Sequence, residues 1–195
     1  MTRQIVFATN NKHKLDELRQ IVGDNYKILS LADIDCNEDL PETADTLEGN
    51  AEMKARWVKE HYGYDCFADD TGLEVESLGG EPGVRSARYA SEKGHDSVAN
   101  MKLLLKNIEG KKNRNARFRT VIALVEGKEI KYFTGCVEGK IIDTPKGNIG
   151  FGYDPVFVPE GWDITFAEAT SEVKNEISHR GRATRKLIEY LNGKQ

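Results

Sequence analysis

Asp69 and Asp70 stand side by side in the stretch Phe67-Ala68-Asp69-Asp70-Thr71-Gly72-Leu73-Glu74-Val75. Adjacent carboxylates repel each other, so an unpaired Asp pair is costly. A bound divalent cation removes that cost. Mg²⁺ takes hard oxygen ligands, usually one or two carboxylates together with substrate phosphates. Thr71 adds a hydroxyl, and Thr71-Gly72 is a turn signal. Asp before a turn is also a common hydrogen-bond acceptor for the backbone. On spacing alone that plainer reading is favoured, and the other polar stretches of the chain must decide.

The first of these is Thr9-Asn10-Asn11-Lys12-His13-Lys14, which follows the apolar run Ile5-Val6-Phe7-Ala8. Leu15, Leu18, Ile21 and Val22 then have helical spacing, with Gly23 as the helix stop. The polar cluster therefore occupies a strand-to-helix turn. Such a turn aims backbone N–H groups and the positive helix end at whatever lies above it, which suits phosphate. The chain has neither GxGxxG nor GxxxxGK[ST] at this point, so an Asn-capped helix with surface lysines is the competing reading. The segment from Asp33 to Asp45 is strongly acidic, and one of its carboxylates could reach a metal. The loop Pro145 to Pro155 places glycines on both sides of Phe151, which lets a ring and backbone lie close to a flat ligand, while a Gly-rich turn with Phe151 tucked into the core is an equal reading. Ser178-His179-Arg180-Gly181-Arg182 puts cations at a helix start, against the helix dipole. Such local conflicts are expected where an anion or polar ligand is bound.

The elements that must position these groups alternate. Gln4 to Thr9 reads as a strand covered on both faces. Tyr26 to Leu31 reads as a second strand, and a short strand ends in Asp69-Asp70. Asp45-Thr46 can cap a helix to about His61, with Gly63 after it. Leu78 to Asp96 reads as a long loop, a kind that is usually functional or mobile. Asp96 caps a helix with Val98, Met101, Leu104, Leu105 and Ile108 on one face. Ala116 to Glu126 and Glu129 to Glu138 form a hairpin around Gly127-Lys128, with Ile130, Tyr132, Thr134 and Cys136 along one face. Val156-Phe157-Val158 is a short strand, and Ser178 caps a final helix to Gly193. Strand, helix, strand, helix, strand is α/β logic, and the hairpin makes the sheet mixed.

The 195 residues make one large domain or two closely joined lobes. A net charge of −4 with 31% charged residues argues against a general nucleic-acid binder. No apolar run is long enough to span a membrane. The start goes straight into a strand without the apolar region of a signal peptide. The 3 cysteines, without a CxxC, read as free thiols in a reducing cytoplasm, with Cys66 and Cys136 in the core.

Taken together, the chain resembles the inosine triphosphate pyrophosphatase family. The stretches that carry the likeness are Ala8-Thr9-Asn10-Asn11 with Lys14, Asn50-Ala51 with Lys54, and Ala68-Asp69-Asp70-Thr71-Gly72-Leu73. They continue with Pro82-Gly83-Val84 before Ser86-Ala87-Arg88-Tyr89, Phe151-Gly152-Tyr153-Asp154-Pro155, and Lys174-Asn175 before Ser178-His179-Arg180. Their order and spacing cover nearly the whole chain. One position departs: Asn10 stands where the family usually has Gly, and Asn tolerates left-handed backbone well enough for the turn to survive.

The resemblance implies an elongated α/β fold, a mixed sheet flanked by helices in two lobes with a cleft between them, working as a single domain over residues 1–195. It implies Mg²⁺-dependent hydrolysis of ITP, dITP and XTP to the monophosphate and pyrophosphate by a cytoplasmic homodimer. By position, Asp70 is the general base and a metal contact, with Glu42 as the other metal carboxylate and Asp69 close by. Thr9, Asn11, Lys14, Lys54 and Thr71 hold the triphosphate, with Asn10, Lys12 and His13 in the same turn. Phe151 stacks on the purine, in a loop that includes Gly152 and Tyr153. Asp154, Lys174, His179 and Arg180 read the base and close the pocket. The hairpin or the Gly79 to Tyr89 loop is the expected dimer interface, since exposed sheet edges need covering. A nucleotide sensor without turnover and an aspartyl-phosphate phosphatase are the competing readings. The first would not need a base beside the metal, and the second would release orthophosphate.

Overall fold

The structure is a computed structural model that describes residues 3–22, 26–92 and 95–193. Six strands form one sheet in the order β2-β1-β3-β4-β5-β6. They are β1 (Arg3–Phe7), β2 (Tyr26–Leu29), β3 (Cys66–Val75), β4 (Asn115–Glu126), β5 (Glu129–Ile141) and β6 (Phe157–Pro159). β1 runs parallel to β2 and to β3, whereas β5 and β6 are antiparallel, so the sheet is mixed. Five helices accompany it: α1 (Lys12–Val22), α2 (Leu47–Tyr62), α3 (Ser97–Ile108), α4 (Ser171–Ile177) and α5 (His179–Asn192). The expected stop of α1 at Gly23 lies outside the described residues. Among those residues, no helix is long and apolar enough to cross a membrane.

The chain divides into two compact units. The first comprises Met1–Asp70, Thr120–Gly135 and Arg180–Gln195. Its β1 is covered on both faces, as the unbroken apolar run requires. Ile5 and Phe7 join Leu18 of α1, Phe67, Ile122 and Leu187 of α5 in one cluster. Val6 and Ala8 join Ala55 and Val58 of α2, Cys66 and Ala68 in another. The second unit comprises Thr71–Arg119 and Cys136–His179. Its core gathers Leu73, Val75, Leu104, Ile108, Phe118, Val137, Phe157 and Phe166.

Several boundaries differ from the sequence reading. Thr71-Gly72 is not a turn, because β3 runs unbroken from Cys66 to Val75. Gly72 is there for close approach: a Cβ on it would lie 2.4 Å from the carbonyl oxygen of Gly83. The segment read as a long loop is entered through a 3₁₀ turn, Glu76–Leu78, and contains another, Gly83–Arg88, with a cis bond before Pro82. Ser178 stands immediately before the final helix, as read, but a short helix rather than a loop precedes it: its backbone N–H donates to the Lys174 carbonyl at the end of α4, and α5 follows at once. In β5 it is Val137 and Ile141 that are buried, while Tyr132 is 44% exposed and Cys136 is only half-buried. Val98 in the first turn of α3 is exposed at 54%. Thr46, by contrast, caps α2 as expected, accepting from Gly49, and Gly63 closes it with φ 78°. Asp96 caps α3 through Val98 and Ala99.

Candidate active site

The first unit assembles a charged cluster where β3 carries Asp69 and Asp70. Asp69 is buried at 1% side-chain exposure and lies 3.1 Å from Lys14 Nζ and 3.3 Å from Arg180 Nε. Lys14 Nζ contacts both of its oxygens, and Arg180 Nε contacts Oδ2. The positions of the two cations follow from the local folds. Asn11 caps α1 by accepting from the Lys14 backbone N–H, which places Lys14 on the first turn. Arg180 is the second residue of α5 and is 3% exposed.

Lys54, on the buried face of α2, donates to Glu42 Oε1 at 2.6 Å and to the Asp69 carbonyl at 2.8 Å. Asn50, one turn earlier, donates to Asp70 Oδ2 at 3.0 Å. Cation and anion thus alternate: Glu42, Lys54, the β3 backbone and Asp69, then Lys14 and Arg180.

The burial of these charges sets their proton affinities. Burial would lift the Asp69 carboxyl, but Lys14, Arg180 and Lys54 together hold it well below the usual carboxylate range. Asp70 goes the other way. Its burial outweighs the attraction of Lys54 and Lys14 and the Asn50 hydrogen bond, so its pKa is raised. Burial lowers Lys14 despite Asp69, with Arg180 and Lys54 adding to the effect. Burial also pulls Lys54 down, but Asp70, Glu42 and Asp69 outweigh it and leave the ammonium raised.

The rest of the first turn is local. Thr9 Oγ1 accepts from the Asn11 backbone N–H. Asn10, Lys12 and His13 are exposed. Among the described residues the non-glycine with positive φ is Asp35. Asn10 therefore does not adopt left-handed backbone, and the turn does not need the glycine's freedom. Thr71 is half-buried within β3.

The second unit builds a separate group around Asp154, which is 4% exposed. Its Oδ2 accepts from the Phe151 backbone N–H at 2.9 Å and from Lys174 Nζ at 2.7 Å. The same Lys174 ammonium sits 5.1 Å from the centre of the Phe151 ring, a cation over an aromatic face. Gly150 makes the tight loop possible, since a Cβ on it would meet Asp154 Oδ2 at 2.2 Å. Gly152 follows with φ 65°. Tyr153 is buried and donates its hydroxyl to the Ser86 carbonyl at 2.7 Å. His179 is buried and stacks on Phe118, with ring centres 4.7 Å apart. Arg180 belongs to the first unit, where its Nε meets Asp69 Oδ2.

Among the described residues, no group of three or more His, Cys, Asp or Glu side chains is arranged around one metal position. The donor chemistry still suits a hard cation at two of the three expected carboxylates. Glu42 and Asp70 are oxygen donors, both half-buried, and a cation would offset the raised proton affinity of Asp70. Asp69 fits less well, because both its oxygens already face Lys14 or Arg180.

Asn50 was not among the functional residues inferred from sequence. It belongs to one of the recurring stretches, and its i, i+4 relation to Lys54 on an otherwise apolar helix face, with Ala51 and Ala55, is the signal that singles it out.

The model of the Ham1 family matches residues 5–190. The chain is 56% identical over 188 residues to a dITP/XTP pyrophosphatase of Flavobacterium psychrophilum, covering 96% of this chain and 98% of that protein. It is 51% identical to a dITP/XTP pyrophosphatase of Porphyromonas gingivalis, over 96% of this chain and 97% of that protein. Among solved structures, the Staphylococcus aureus Ham1 protein is similar with a TM-score of 0.90 at 36% identity, covering 99% of this chain and all of that one.

Proposed function

From the premise that the chain belongs to the Ham1 family, we propose that it is a nucleoside triphosphate pyrophosphatase that hydrolyses non-canonical purine triphosphates. Its substrates are dITP, ITP and XTP, its products the monophosphate and pyrophosphate, and its cofactor Mg²⁺. The whole chain works as one catalytic domain. The observation that carries the reading is the Asp70 carboxylate, half-buried, raised in proton affinity and set among Lys54, Lys14 and Asn50.

A general base is most effective when its pKa approaches the working pH, and burial moves Asp70 in that direction. Asp70 orients a water against the α-phosphorus and takes its proton. Lys14 and Lys54 supply positive charge for the oxyanions that develop as the pyrophosphate departs. Thr9, Asn11 and Thr71 add hydrogen bonds to the triphosphate. Glu42 and Asp70 are the residues that would hold Mg²⁺, which when bound neutralises phosphate charge and acts as a Lewis acid on phosphoryl oxygen. Asp69 serves as the counter-ion that keeps Lys14 and Arg180 in place.

In the second unit, Phe151 stacks on the purine, and Lys174 donates to its 6-oxygen. An ammonium has three donors, so the bond to Asp154 leaves capacity for the base. Adenine carries an amino group at position 6. Against it the lysine faces another donor, which costs about 1–3 kcal/mol per buried group left unpaired. Asp154 fixes the loop, and His179 closes the site wall. The reading includes a cytoplasmic homodimer, which motivates a mass measurement in solution at micromolar concentration.

The experiment is product analysis with XTP, ITP, GTP and ATP, in Mg²⁺ and in EDTA, on the wild type and Asp70→Asn. IMP or XMP with pyrophosphate, dependent on metal and on Asp70, supports the reading. Orthophosphate as first product, or no turnover with nucleotide bound, contradicts it.

A further inference from the structure

Asn50 is 2% exposed, and both ends of its amide are used. Nδ2 donates to Asp70 Oδ2 at 3.0 Å, and Oδ1 accepts from the Ala44 backbone N–H at 2.9 Å. The partners fix this orientation, since a backbone N–H only donates and an ionised carboxylate only accepts. Ala44 lies two residues beyond Glu42. Its close approach to α2 depends on Gly49, where a Cβ would meet Ala44 Cβ at 2.6 Å and Thr46 Oγ1 at 3.0 Å. One turn along the same face, Lys54 joins Glu42 to the Asp69 carbonyl. So α2 carries two polar clamps, and each ties the segment that bears Glu42 to the β3 residues Asp69 and Asp70. The amide does not cap the helix. That task falls to Thr46 Oγ1, which accepts from Gly49.

We propose that Asn50 is a positioning residue that sets the orientation of the Asp70 carboxylate and fixes it relative to Glu42 through the Ala44 backbone. The inference rests on the reading of Asp70 as the base. An amide is the side chain that does both jobs. Asp at this position would keep the acceptor for Ala44 but present a third carboxylate to Asp70 in place of a donor. Ala would leave the Ala44 N–H without its partner and Asp70 without its guide.

The test compares wild type, Asn50→Ala and Asn50→Asp. With XTP and Mg²⁺, well below the unfolding temperature of each protein, kcat falls about 10²-fold in both variants, the scale of a small misplacement of a reacting group. KM stays within about threefold, because the substrate contacts remain. Crystal structures of wild type and Asn50→Ala show the Asp70 side chain turned away from its wild-type rotamer while the Thr46 cap persists. Wild-type kcat in a folded variant, a loss confined to KM, or an unmoved Asp70 in the Asn50→Ala crystal would overturn the proposal. Asn50→Asp retains the Ala44 acceptor and carries the kinetic test if Asn50→Ala does not fold. Should the wild type turn over no nucleotide, the functional reading fails, and the position of Asp70 in the two crystals alone decides this one.

Discussion

Lys14 Nζ lies 3.1 Å from Asp69, a residue 55 positions further along the chain. Asp69 also holds Arg180, so one carboxylate organises a half-buried and a buried cation. Removing it leaves both without that counter-charge. Asp69→Asn is therefore expected to lose about 3 kcal/mol of stability, the lower end for breaking a buried ion pair. Urea unfolding measures it, and a loss under 1 kcal/mol would show that the cluster is not held together by charge.

Cys66 has no exposure, and burial pushes its thiol above the usual range. The folded state therefore keeps its proton longer than the unfolded chain does. The sign is fixed: this contribution is fully present below the unfolded thiol pKa of about 8.5 and is lost as pH rises toward the folded value. Its slope approaches about 1.4 kcal/mol per pH unit. Unfolding from pH 8 to 10 is expected to show a steeper decline for wild type than for Cys66→Ala. Equal slopes would contradict the assignment.

Gly72→Ala places a methyl 2.4 Å from the Gly83 carbonyl oxygen and 2.8 Å from its carbon. Backbone cannot move aside as a side-chain tip can. The expected cost is about 2 kcal/mol, as for other overpacked sites. Thermal unfolding checks it, with Gly79→Ala as a comparison where no atom lies within 4 Å of the added carbon but φ is +66°.

Lys174→Met removes the ammonium from above Phe151 and from Asp154. The ratio of kcat/KM for XTP over ATP is expected to fall about tenfold or more, because discrimination by a buried donor is lost. An unchanged ratio, in a variant shown to be folded, would move base recognition elsewhere.

Much of the fold is legible in the chain because its signals are local. Ile5 to Ala8 read as a doubly covered strand, and the clusters on its two faces bear this out. Thr46, Gly63 and Asp96 act at the helix ends their residue types favour. What escaped depends on distant neighbours. Gly72 reads as a turn until Gly83 is seen pressed against it. The seven-residue α4 has no apolar period long enough to announce it, so only the helix that follows Ser178 is legible there. In the site, residue types alone left Asp69-Asp70 and Lys14 with plainer readings, and it was the family resemblance that singled out Asp70, Lys14 and Lys54. That Asp69 would face cations, and that Asn50 would face Asp70, is decided by the packing of α1, α2 and β3, which no window of sequence contains.

The central claim is a water, oriented by Asp70, attacking the α-phosphorus. Hydrolysis of XTP or ITP in oxygen-18 water, with mass analysis of both products, tests it most directly. Label in the nucleoside monophosphate and none in the pyrophosphate, with the rate lowered about 10²-fold or more in Asp70→Asn, is the predicted result. Label in pyrophosphate or in released orthophosphate would place the attack at another phosphorus and contradict the account.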